Sequence, residues 1–531
     1  MYTISSTIGL LGILLRVSLA QNHSHQDCST NISKPDIFGT KIISLLANEV
    51  ERYNVTVVQT QSYFAANLTN LHFCNVTLVY THPGQNDTIT TQIWLPMAGW
   101  NGRFQGNGGG GWATGLFERL AQPVARGFAA ATTDGGHVQA NRNAGTWAQV
   151  SPGNVDLYLL QNFASESLEE TASLGKAITE NFYGVKPKYS YFNGCSTGGR
   201  QGLMLAQRYP EAYDGILAAA PAVSWDRFIP ATFWGHVVMK ELGSLSTNCE
   251  LDGITAAATA NCDKLDGVPD GVIAAPDLCK FDPFSLIGQN VTCADGSQKV
   301  ITSTSAEVAN ATWSGPRSTT GKSLWYGLTH GANLTSYSGT TCLPGKPCAS
   351  DPFTIGTDWF RFFVNKIPSF DPRSIGNLQF EELYQASVRE YNSIIGTDDP
   401  DLSRFKRAGG KMLSWHGLDD QLISPRGTAH YYRSVQENDP KVRDFYRYFE
   451  APGIQHCSGG RGAYPSESMD QLIDWVERND APGTLRAQSL PDKNGNVRRR
   501  DLCEYPLVSV FKGIGKNPNA ASSYECRKGF Q

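Results

Sequence analysis

The sequence predicts an α/β protein built on a mostly parallel sheet that helices cover on both faces. Short apolar runs suited to buried strands alternate with helical patterns over residues 127–220 and again over residues 411–477. Between these regions, residues 225–407 lose the alternation and carry scattered aromatic residues and cysteines. At 531 residues the chain is also too long for one simple core. We therefore predict a sheet domain that is interrupted by a large insertion.

The first part of the sheet domain begins with a β-like region over residues 28–96. Within it, residues 74–81 and 88–95 alternate apolar and polar side chains on either side of a turn, which is typical of two adjacent strands. The elements predicted after them are a buried strand at 127–133, a helix at 165–182, a strand at 189–192, a helix ending near 208 and a strand at 215–220.

The alternation returns after the insertion. The pair Ser424-Pro425 predicts the start of a helix, because serine caps helix N-termini and proline fits the first turn. The other elements predicted here are a buried strand at 411–415, a strand at 445–450 and a helix at 469–477.

Residues 1–20 form an apolar segment that ends in Ser18-Leu19-Ala20, which fits the small-residue rule of a secretory cleavage site. No later apolar run is long enough to span a bilayer. We therefore expect a secreted protein that does not enter a membrane. The predicted organisation is a signal peptide (1–20), the first part of the sheet domain (21–224), the insertion (225–407) and the second part of the sheet domain (408–531).

Composition narrows the functional classes. A net charge of −4 and the absence of a basic patch with interleaved aromatic residues argue against nucleic-acid binding. The twelve cysteines lack paired C-x-x-C spacing, so disulfides in an oxidising compartment are expected rather than a zinc site. N-glycosylation sequons occur at Asn22, Asn31, Asn54, Asn67, Asn75, Asn86, Asn290, Asn310 and Asn333, and this density predicts N-linked glycans.

The stretch Gly194-Cys195-Ser196-Thr197-Gly198 matches the G-x-S-x-G nucleophile elbow, in which a serine stands on a sharp turn between a strand and a helix. A predicted strand ends just before it and a helical pattern begins just after it. The small residues two positions either side of the serine avoid collisions with the neighbouring strand and helix. The competing interpretation is an ordinary glycine-rich loop, but the strand–turn–helix context favours the elbow.

A second glycine-rich stretch spans residues 106–111, ahead of the elbow. A segment so poor in side chains brings backbone N–H groups close to a ligand, and we predict that it forms an oxyanion hole. The predicted donors are the amides of Gly109, Gly110 and Thr197, the residue after the serine. The missing Lys-Ser/Thr pair argues against a phosphate-binding loop, and flanking strand-like residues argue against a flexible linker.

A serine nucleophile needs a histidine to remove its proton and an acid to orient that histidine. In elbow enzymes the three follow in the order serine, acid, histidine. Asp419 and Asp420 lie in the loop after the predicted strand 411–415, and His456 lies in a glycine-bounded loop after the next strand. We interpret His416 as structural because it lies on the same loop as Asp419 and Asp420. We interpret His137 as structural because it precedes the elbow in the sequence.

The cysteines support this arrangement. Cys195 directly precedes the predicted nucleophile, and Cys457 directly follows the predicted base. If Ser196 and His456 meet in space, these two cysteines meet as well, and in a secreted protein they should be bonded. We therefore predict a Cys195–Cys457 bridge.

The Gly-Cys-Ser-Thr-Gly-Gly-Arg-Gln-Gly stretch at 194–202, the His-Gly-x-x-Asp pattern at 416–420 and the pair His456-Cys457 together resemble the tannase and feruloyl esterase family. This family consists of secreted α/β-hydrolases with an inserted lid domain. The resemblance implies Ser196 as nucleophile, His456 as base and Asp420 as acid, since the family's acid is the fifth residue counting from the histidine of His-Gly.

The resemblance also implies activity on phenolic-acid esters of the feruloyl type, either as small molecules or linked to polysaccharides. The nearest alternative is a tannase that cleaves galloyl esters. A more distant one is an inactive binding module on the same fold. Candidate lid residues that could separate these substrates are Trp313, Trp325, Tyr326, Phe353, Trp359 and Phe360, most of which we expect in the lid core.

The family further implies a structural calcium site in the lid. Residues 262–272 gather three carboxylates among turn-forming glycines, which suits the oxygen ligands and irregular geometry that Ca²⁺ prefers. The motif is not an EF-hand, because the bidentate glutamate is missing. The expected ligands, remote from the reacting groups, are Asp263, Asp266, Asp270 and the carbonyls of Val268 and Val272.

Three other disulfides follow from the family pattern, namely Cys28–Cys74, Cys262–Cys279 and Cys503–Cys526. Four cysteines then remain, Cys249, Cys293, Cys342 and Cys348, and the sequence does not choose among their three pairings, although Cys342–Cys348 is the local one. The sequence leaves the oligomeric state open.

Overall fold

The computed structural model describes Cys28 and residues 32–137, 143–343 and 347–529. The predicted signal peptide and the sequons at Asn22 and Asn31 lie outside the described residues. None of the described helices is both long and apolar enough to cross a membrane.

A nine-stranded sheet runs through the protein, in the order β1-β2-β3-β5-β4-β6-β7-β8-β9. The first three pairings of this order are antiparallel and the five from β5 to β9 are parallel. The carboxyl ends of the parallel strands therefore meet at one edge, where α/β proteins place their sites. The strands are β1 (Lys41–Val57), β2 (Ala66–Thr81), β3 (Ile89–Pro96), β4 (Arg103–Asn107), β5 (Ala129–Thr133), β6 (Tyr189–Cys195), β7 (Gly215–Ala219), β8 (Lys411–Gly417) and β9 (Tyr446–Ala451).

Helices cover the sheet and make up most of the insertion. The α-helices are α1 (Ala121–Ala125), α2 (Leu157–Ala164), α3 (Glu166–Tyr183), α4 (Thr197–Arg208), α5 (Trp225–Ala231), α6 (Trp234–Leu242), α7 (Asn248–Cys262), α8 (Ser303–Ser314), α9 (Thr335–Ser338), α10 (Thr354–Asp358), α11 (Asn377–Tyr391), α12 (Ser403–Arg407), α13 (Pro425–Asn438) and α14 (Ser468–Arg478). Two π-helical segments span Trp359–Val364 and Asn392–Gly396.

Short elements complete the described chain. The two-stranded ribbons pair Gln149–Ser151 with Asn154–Val155, Asn290–Thr292 with Gln298–Val300, Thr340–Thr341 with Ala349–Ser350, Thr484–Leu485 with Leu502–Cys503, and Val508–Phe511 with Tyr524–Arg527. The 3₁₀ turns are Phe117–Leu120, Ala144–Thr146, Asp263–Asp266, Pro276–Leu278, Pro283–Leu286, Pro372–Ser374, Val442–Asp444 and Ala521–Ser523.

The predicted alternation of strands and helices is confirmed on both sides of the insertion. The helix predicted at 165–182 is α3, Glu166–Tyr183, and the strand predicted at 189–192 is β6, which runs on to Cys195. The strand β1 was not predicted as a separate element. It is the outermost strand, its side chains alternate between exposed and half-buried, and its apolar pattern is correspondingly weak.

The two faces of the parallel strands carry separate cores, because successive side chains of a strand point to opposite faces. Phe192, Ile216 and Met412 belong to the core under α3. Their neighbours Tyr191 and Leu217 belong to the core that α14 covers. β5 and β7 are buried along their whole length and consist mostly of apolar residues, which is typical of strands in parallel sheets.

Residues 225–407 contribute no strand to the described nine-stranded sheet. They form a third core, rich in aromatic rings, which includes Trp112 from the loop after β4. The Trp112 ring lies 5.3 Å from Trp225 and 5.3 Å from Phe363, centroid to centroid. The insertion is therefore anchored on the glycine-rich loop at the carboxyl edge of the sheet.

Candidate active site

Ser196 lies on a sharp turn between β6 and α4, with φ 66° and ψ −124°. Such a backbone is strained for a residue with a side chain and is typical of a nucleophile elbow. Gly194 is required there, because a Cβ at this position would lie 2.3 Å from the carbonyl oxygen of Gly198. The elbow is held from below by the Ser196 N–H, which donates to Ala219 O at 3.1 Å. Ser196 is half-buried, so its hydroxyl remains accessible.

The loop after β8 carries Asp420, whose carboxylate is completely buried. Its Oδ1 accepts the backbone N–H groups of Leu422 and Ile423 at 2.8 and 2.9 Å. Its Oδ2 lies 2.8 Å from Nδ1 of His456 and 3.0 Å from Nε2 of His416. Burial alone would raise the pKa of Asp420, but the charge of His456 and the hydrogen bonds from both histidines outweigh it and hold the pKa below its usual range.

The hydrogen bonds of His456 fix its useful tautomer. Because the carboxylate of Asp420 only accepts, Nδ1 of His456 carries the proton and Nε2 is left free to accept another. The backbone N–H of His456 donates to Gln421 Oε1 at 3.2 Å, which ties the histidine to the loop after β8 that carries Asp420. The imidazole is 13% exposed, so one edge of the ring reaches the surface of the site.

A disulfide joins Cys195 to Cys457, with their Cα atoms 5.9 Å apart. The predicted bridge is therefore present, and it brings together the residues that directly adjoin Ser196 and His456. Within the described chain the Ser196 hydroxyl makes no hydrogen bond. In enzymes without substrate such contacts are often long and tighten only when substrate binds.

His416 does more than the structural role predicted for it. Its Nε2 also lies 3.1 Å from Ile423 O, so both groups near this nitrogen are acceptors and Nε2 carries the proton. Its Nδ1 lies 2.8 Å from the hydroxyl of Thr428 on α13. His416 thus binds the same carboxylate oxygen of Asp420 as His456 does. The His-Gly-x-x-Asp spacing was the only sequence signal for this contact.

Asp419 points elsewhere. A Cβ added to Gly331 in the insertion would lie 2.3 Å from Asp419 Oδ1, and this oxygen is buried without a hydrogen-bond partner in the described chain. Burial raises the pKa of Asp419 to about 7, against the opposing charge of Arg461. A carboxyl group that makes no contact with a histidine cannot orient one, which favours Asp420.

The glycine-rich loop lies against the N-terminus of α4, but two of the three predicted oxyanion donors, Gly109 and Gly110, already have partners. The N–H of Gly109 donates to Gln201 Oε1 at 3.0 Å, and that of Gly110 donates to Ala113 O at 3.1 Å. Both amides are therefore used within the protein, and this geometry contradicts their prediction as oxyanion donors. The hydroxyl of Thr197 donates to Gly111 O at 2.7 Å, which brings Gly111 next to the first residue of α4.

The predicted disulfides, His137 and the aromatic lid candidates can each be located in the structure. All three disulfides implied by the family are present, and the last four cysteines form Cys249–Cys293 and Cys342–Cys348. His137 is buried 4.3 Å from the Trp147 ring, and burial lowers its pKa to about 3, as suits a structural residue. Of the six aromatic lid candidates, Trp313, Trp325, Trp359 and Phe360 are buried, which leaves Tyr326 and Phe353 partly accessible.

The predicted calcium ligands share one turn. Asp263 Oδ1 accepts the N–H groups of residues 270, 271 and 272 at 3.1, 3.0 and 3.2 Å, which folds the segment around the carboxylates. Arg500 donates to Asp266 Oδ2 at 2.7 Å and Arg498 to Asp270 Oδ2 at 3.1 Å. Two guanidinium groups thus face three carboxylates. The donors are all oxygens, as a hard cation such as Ca²⁺ prefers, but among the described residues these three carboxylates do not converge to within 4.8 Å of one another.

This turn adjoins the loop that carries His456, because the side chain of Val272 packs on Gly453, three residues before His456. A Cβ at Gly453 would lie 2.7 Å from Val272 Cγ2.

The insertion closes over the same edge of the sheet. Ile355 Cδ1 lies 3.5 Å from where a Cβ of Gly111 would be, and Trp112 Nε1 donates to Asp358 Oδ2 at 3.2 Å. Tyr337, from the insertion, donates its hydroxyl hydrogen to Leu422 O at 2.9 Å, in the loop after β8. Ile355 and Leu422 are half-buried apolar side chains, so the edge of the site is suited to an apolar substrate group.

The sheet topology, the elbow and the two loops that follow β8 and β9 define the chain as an α/β-hydrolase. The family model described as tannase and feruloyl esterase matches residues 74–527. A probable feruloyl esterase of Arthroderma benhamiae is 40% identical over 534 residues, which cover 99% of this chain and 98% of the relative. The chain belongs to the tannase and feruloyl esterase family and is a carboxylic ester hydrolase.

Solved structures agree with this assignment. Tannin acyl hydrolase from Aspergillus niger superposes with a TM-score of 0.84 at 29% identity, covering 92% of each chain. Feruloyl esterase B from Aspergillus oryzae superposes with a TM-score of 0.78 at 26% identity, covering 95% of this chain and all of that one, 100%.

Proposed function

We propose that the protein is a secreted serine esterase that cleaves phenolic-acid esters through an acyl-enzyme. Ser196 is the nucleophile, His456 the general base and Asp420 the acid that orients it. The observation that carries this proposal is the 2.8 Å contact between Asp420 and His456, on a loop that the Cys195–Cys457 bridge ties to the elbow.

Acylation follows from the tautomer of His456. Its free Nε2 takes the proton of the Ser196 hydroxyl as the serine oxygen attacks the ester carbonyl carbon. The buried carboxylate of Asp420 stabilises the imidazolium that forms, without accepting the proton itself. Collapse of the tetrahedral intermediate breaks the bond to the alcohol, which leaves with the proton from Nε2.

The tetrahedral intermediate carries a negative oxygen that needs N–H donors. We assign the amide of Thr197, at the N-terminus of α4, and that of Gly111. Neither amide has a partner among the described residues, whereas Gly109 and Gly110 are both occupied. The hydrogen bond from the Thr197 hydroxyl to Gly111 O fixes the two positions relative to each other.

In deacylation, water is the nucleophile and Ser196 is the leaving group. Water donates a proton to His456 Nε2 as its oxygen attacks the acyl carbonyl, and the carboxylic acid leaves when Ser196 recovers that proton. No step requires a cofactor.

We take ferulate-type esters as the preferred substrates because a relative 40% identical over 99% of this chain is named as a probable feruloyl esterase. Galloyl esters are the second candidate, since the tannin acyl hydrolase superposes closely. Initial rates on methyl ferulate, methyl caffeate, methyl gallate and a terephthalate monoester separate the two.

Ser196→Ala tests the chemistry. It should leave a folded protein with negligible activity on any ester, because it removes one accessible oxygen and no packing. Ser458→Ala, a serine two residues from the base, is the matched control and should stay within a few-fold of the parent. Residual activity of Ser196→Ala close to the parent would show that another residue is the nucleophile.

We propose further that residues 263–272 hold a structural Ca²⁺, with ligands from Asp263, Asp266, Asp270, Val268 O and Val272 O. A bound ion would neutralise the surplus carboxylate charge of this turn and so stabilise only the native state. Chelation should lower the melting temperature, and addition of Ca²⁺ should restore it. Metal analysis of the purified protein that finds no calcium would refute this assignment.

Secretion and N-glycosylation are part of the same proposal. Six disulfides suit an oxidising compartment. The described sequon asparagines that are exposed are Asn54, Asn67, Asn86, Asn290 and Asn310. Enzymatic removal of N-glycans from protein collected in the medium should increase its mobility on a denaturing gel, with peptide mapping to locate the sites.

A further inference from the structure

Two loops far apart in the sequence meet beside the proposed base. The aspartate loop is residues 263–272, and the histidine loop is residues 452–462, which carries His456. The Val272 side chain fills the space next to Gly453, which has φ +69° and no Cβ to collide with it. Arg461, near the other end of the histidine loop, covers Gly271, since a Cβ there would lie 2.7 Å from Arg461 Nη1.

Arg498, from the C-terminal segment, binds both loops at once. Its Nη1 donates to Asp270 Oδ2 at 3.1 Å, in the aspartate loop. Its Nη2 donates to the backbone carbonyl of Arg461, in the histidine loop. A planar guanidinium suits such a double contact, because its donors diverge in a fixed fork.

The histidine loop is closed at the point where it is held. Gly453 O accepts the N–H groups of Arg461 and Gly462 at 2.8 and 3.0 Å, so the two ends of the loop are joined. His456 lies three residues after Gly453 and five before Arg461. A displacement of either end therefore moves the turn that carries the imidazole.

We propose that Arg498 and Val272 are positioning residues that hold the histidine loop so that His456 faces Ser196. This inference rests on the proposed role of His456 as base. Neither residue touches the reacting atoms. Loss of the support should misplace Nε2 of His456, and misplacement by about 1 Å can cost a hundredfold in rate. Contacts with bound substrate lie elsewhere, so KM should change little.

The test compares Arg498→Met with Arg486→Met. Both variants remove an arginine of the C-terminal segment that pairs with an acid, and Arg486 Nε lies 2.6 Å from Glu467 Oε2, outside both loops. Steady-state kinetics on methyl ferulate and amide hydrogen exchange of the peptide covering residues 452–462 are measured for each, in the same excess of Ca²⁺ so that ion occupancy does not differ.

Arg498→Met should lower kcat about tenfold to a hundredfold, leave KM within about twofold and speed exchange in the histidine loop. Arg486→Met should do neither. Should Arg498→Met fail to fold, Val272→Ala serves in its place, because it removes packing and keeps the Arg498 contacts. An unchanged kcat, or a lowered kcat without faster exchange at 452–462, overturns the proposal. Exchange is measured without substrate, so failure of the proposed esterase function would leave that result separately visible.

Discussion

Replacement of Asp420 by asparagine should disable the enzyme without unfolding it. All four groups around the carboxylate are donors: the N–H groups of Leu422 and Ile423 at Oδ1, and the ring nitrogens of His416 and His456 at Oδ2. An asparagine keeps one acceptor oxygen and puts an NH₂ group, itself a donor, against the other pair. Either the two backbone N–H groups or the two histidines must therefore face the NH₂ group, which cannot accept their hydrogen bonds.

The size of the expected loss in kcat depends on which pair of donors, the backbone N–H groups or the histidines, the NH₂ group faces. The two backbone N–H groups cannot invert, and leaving them unsatisfied would cost about 1–3 kcal/mol each. The NH₂ group should instead face the histidines, where His456 can change tautomer and His416 can still donate to Ile423 O at 3.1 Å. Nε2 of His456 then carries the proton and cannot accept one from Ser196. A loss of about 10⁴ in kcat is expected for a wrong tautomer, or roughly 5.5 kcal/mol at 1.36 kcal/mol per tenfold.

The assay is kcat on methyl ferulate near pH 7, together with the melting temperature, and Asp419→Asn is the matched control. Asp419 Oδ1 has no hydrogen-bond partner in the described chain, and burial raises the pKa of this carboxyl to about 7, so it is already partly neutral under these conditions. Asp419→Asn should remain within a few-fold of the parent. A larger loss for Asp419→Asn than for Asp420→Asn would move the orienting role to Asp419 and refute the reasoning.

Three further outcomes are expected. Replacing Cys195 and Cys457 together by alanine should lower the free energy of unfolding by up to about 5 kcal/mol, through the chain entropy that the unfolded state regains, and so lower the melting temperature. It should also lower the rate of the protein that remains folded. Peptide mapping that finds Cys195 as a free thiol would contradict this. The hydrogen bond that His82 donates to the Glu170 carboxylate, with a further one to Asp87, raises the pKa of this buried histidine to about 9. Its stabilisation should be complete below about pH 6.5 and vanish as the pH rises through 9, so melting temperatures of wild type and His82→Gln should converge over that range; a constant difference would refute it. Ile355→Ala should raise KM for aryl esters more than for short alkyl esters, because this side chain closes the apolar edge of the site; an equal change for both would place Ile355 outside the substrate site.

Ser196 and His456 could be singled out in the sequence as the proposed nucleophile and base, because each is marked by a local signal. The elbow needs small residues at fixed positions around Ser196, and Cys195 and Cys457 mark two chain positions that must meet. The choice of Asp420 over Asp419 came from the family resemblance alone. Neighbouring acids in one loop look equivalent in a sequence, and only the hydrogen bond to His456 distinguishes them in space.

The partners of the amides in the glycine-rich stretch could not be predicted in the same way. Each residue of a glycine run offers an N–H group, and the sequence does not show which of them the protein itself uses. The Gly109 amide is taken by the side chain of Gln201, which lies on α4 beyond the nucleophile. The pairing Cys249–Cys293 was undetermined for a related reason, since it depends on how a ribbon of the insertion folds beside α7.

The loop that carries His456, the proposed base, lies at the open edge of the sheet. β9 is the last strand, so the loop that follows it has a neighbouring strand on one side only. Elsewhere at the carboxyl edge, loops are flanked by strands on both sides, as the elbow is between β4 and β7. On the open side of β9 the C-terminal segment takes the place of a strand: Tyr505 donates its backbone N–H to Tyr448 O at 2.8 Å. Arg498 belongs to that same segment, so the part of the chain that covers the edge of the sheet also carries the side chain that links the histidine loop to the aspartate loop.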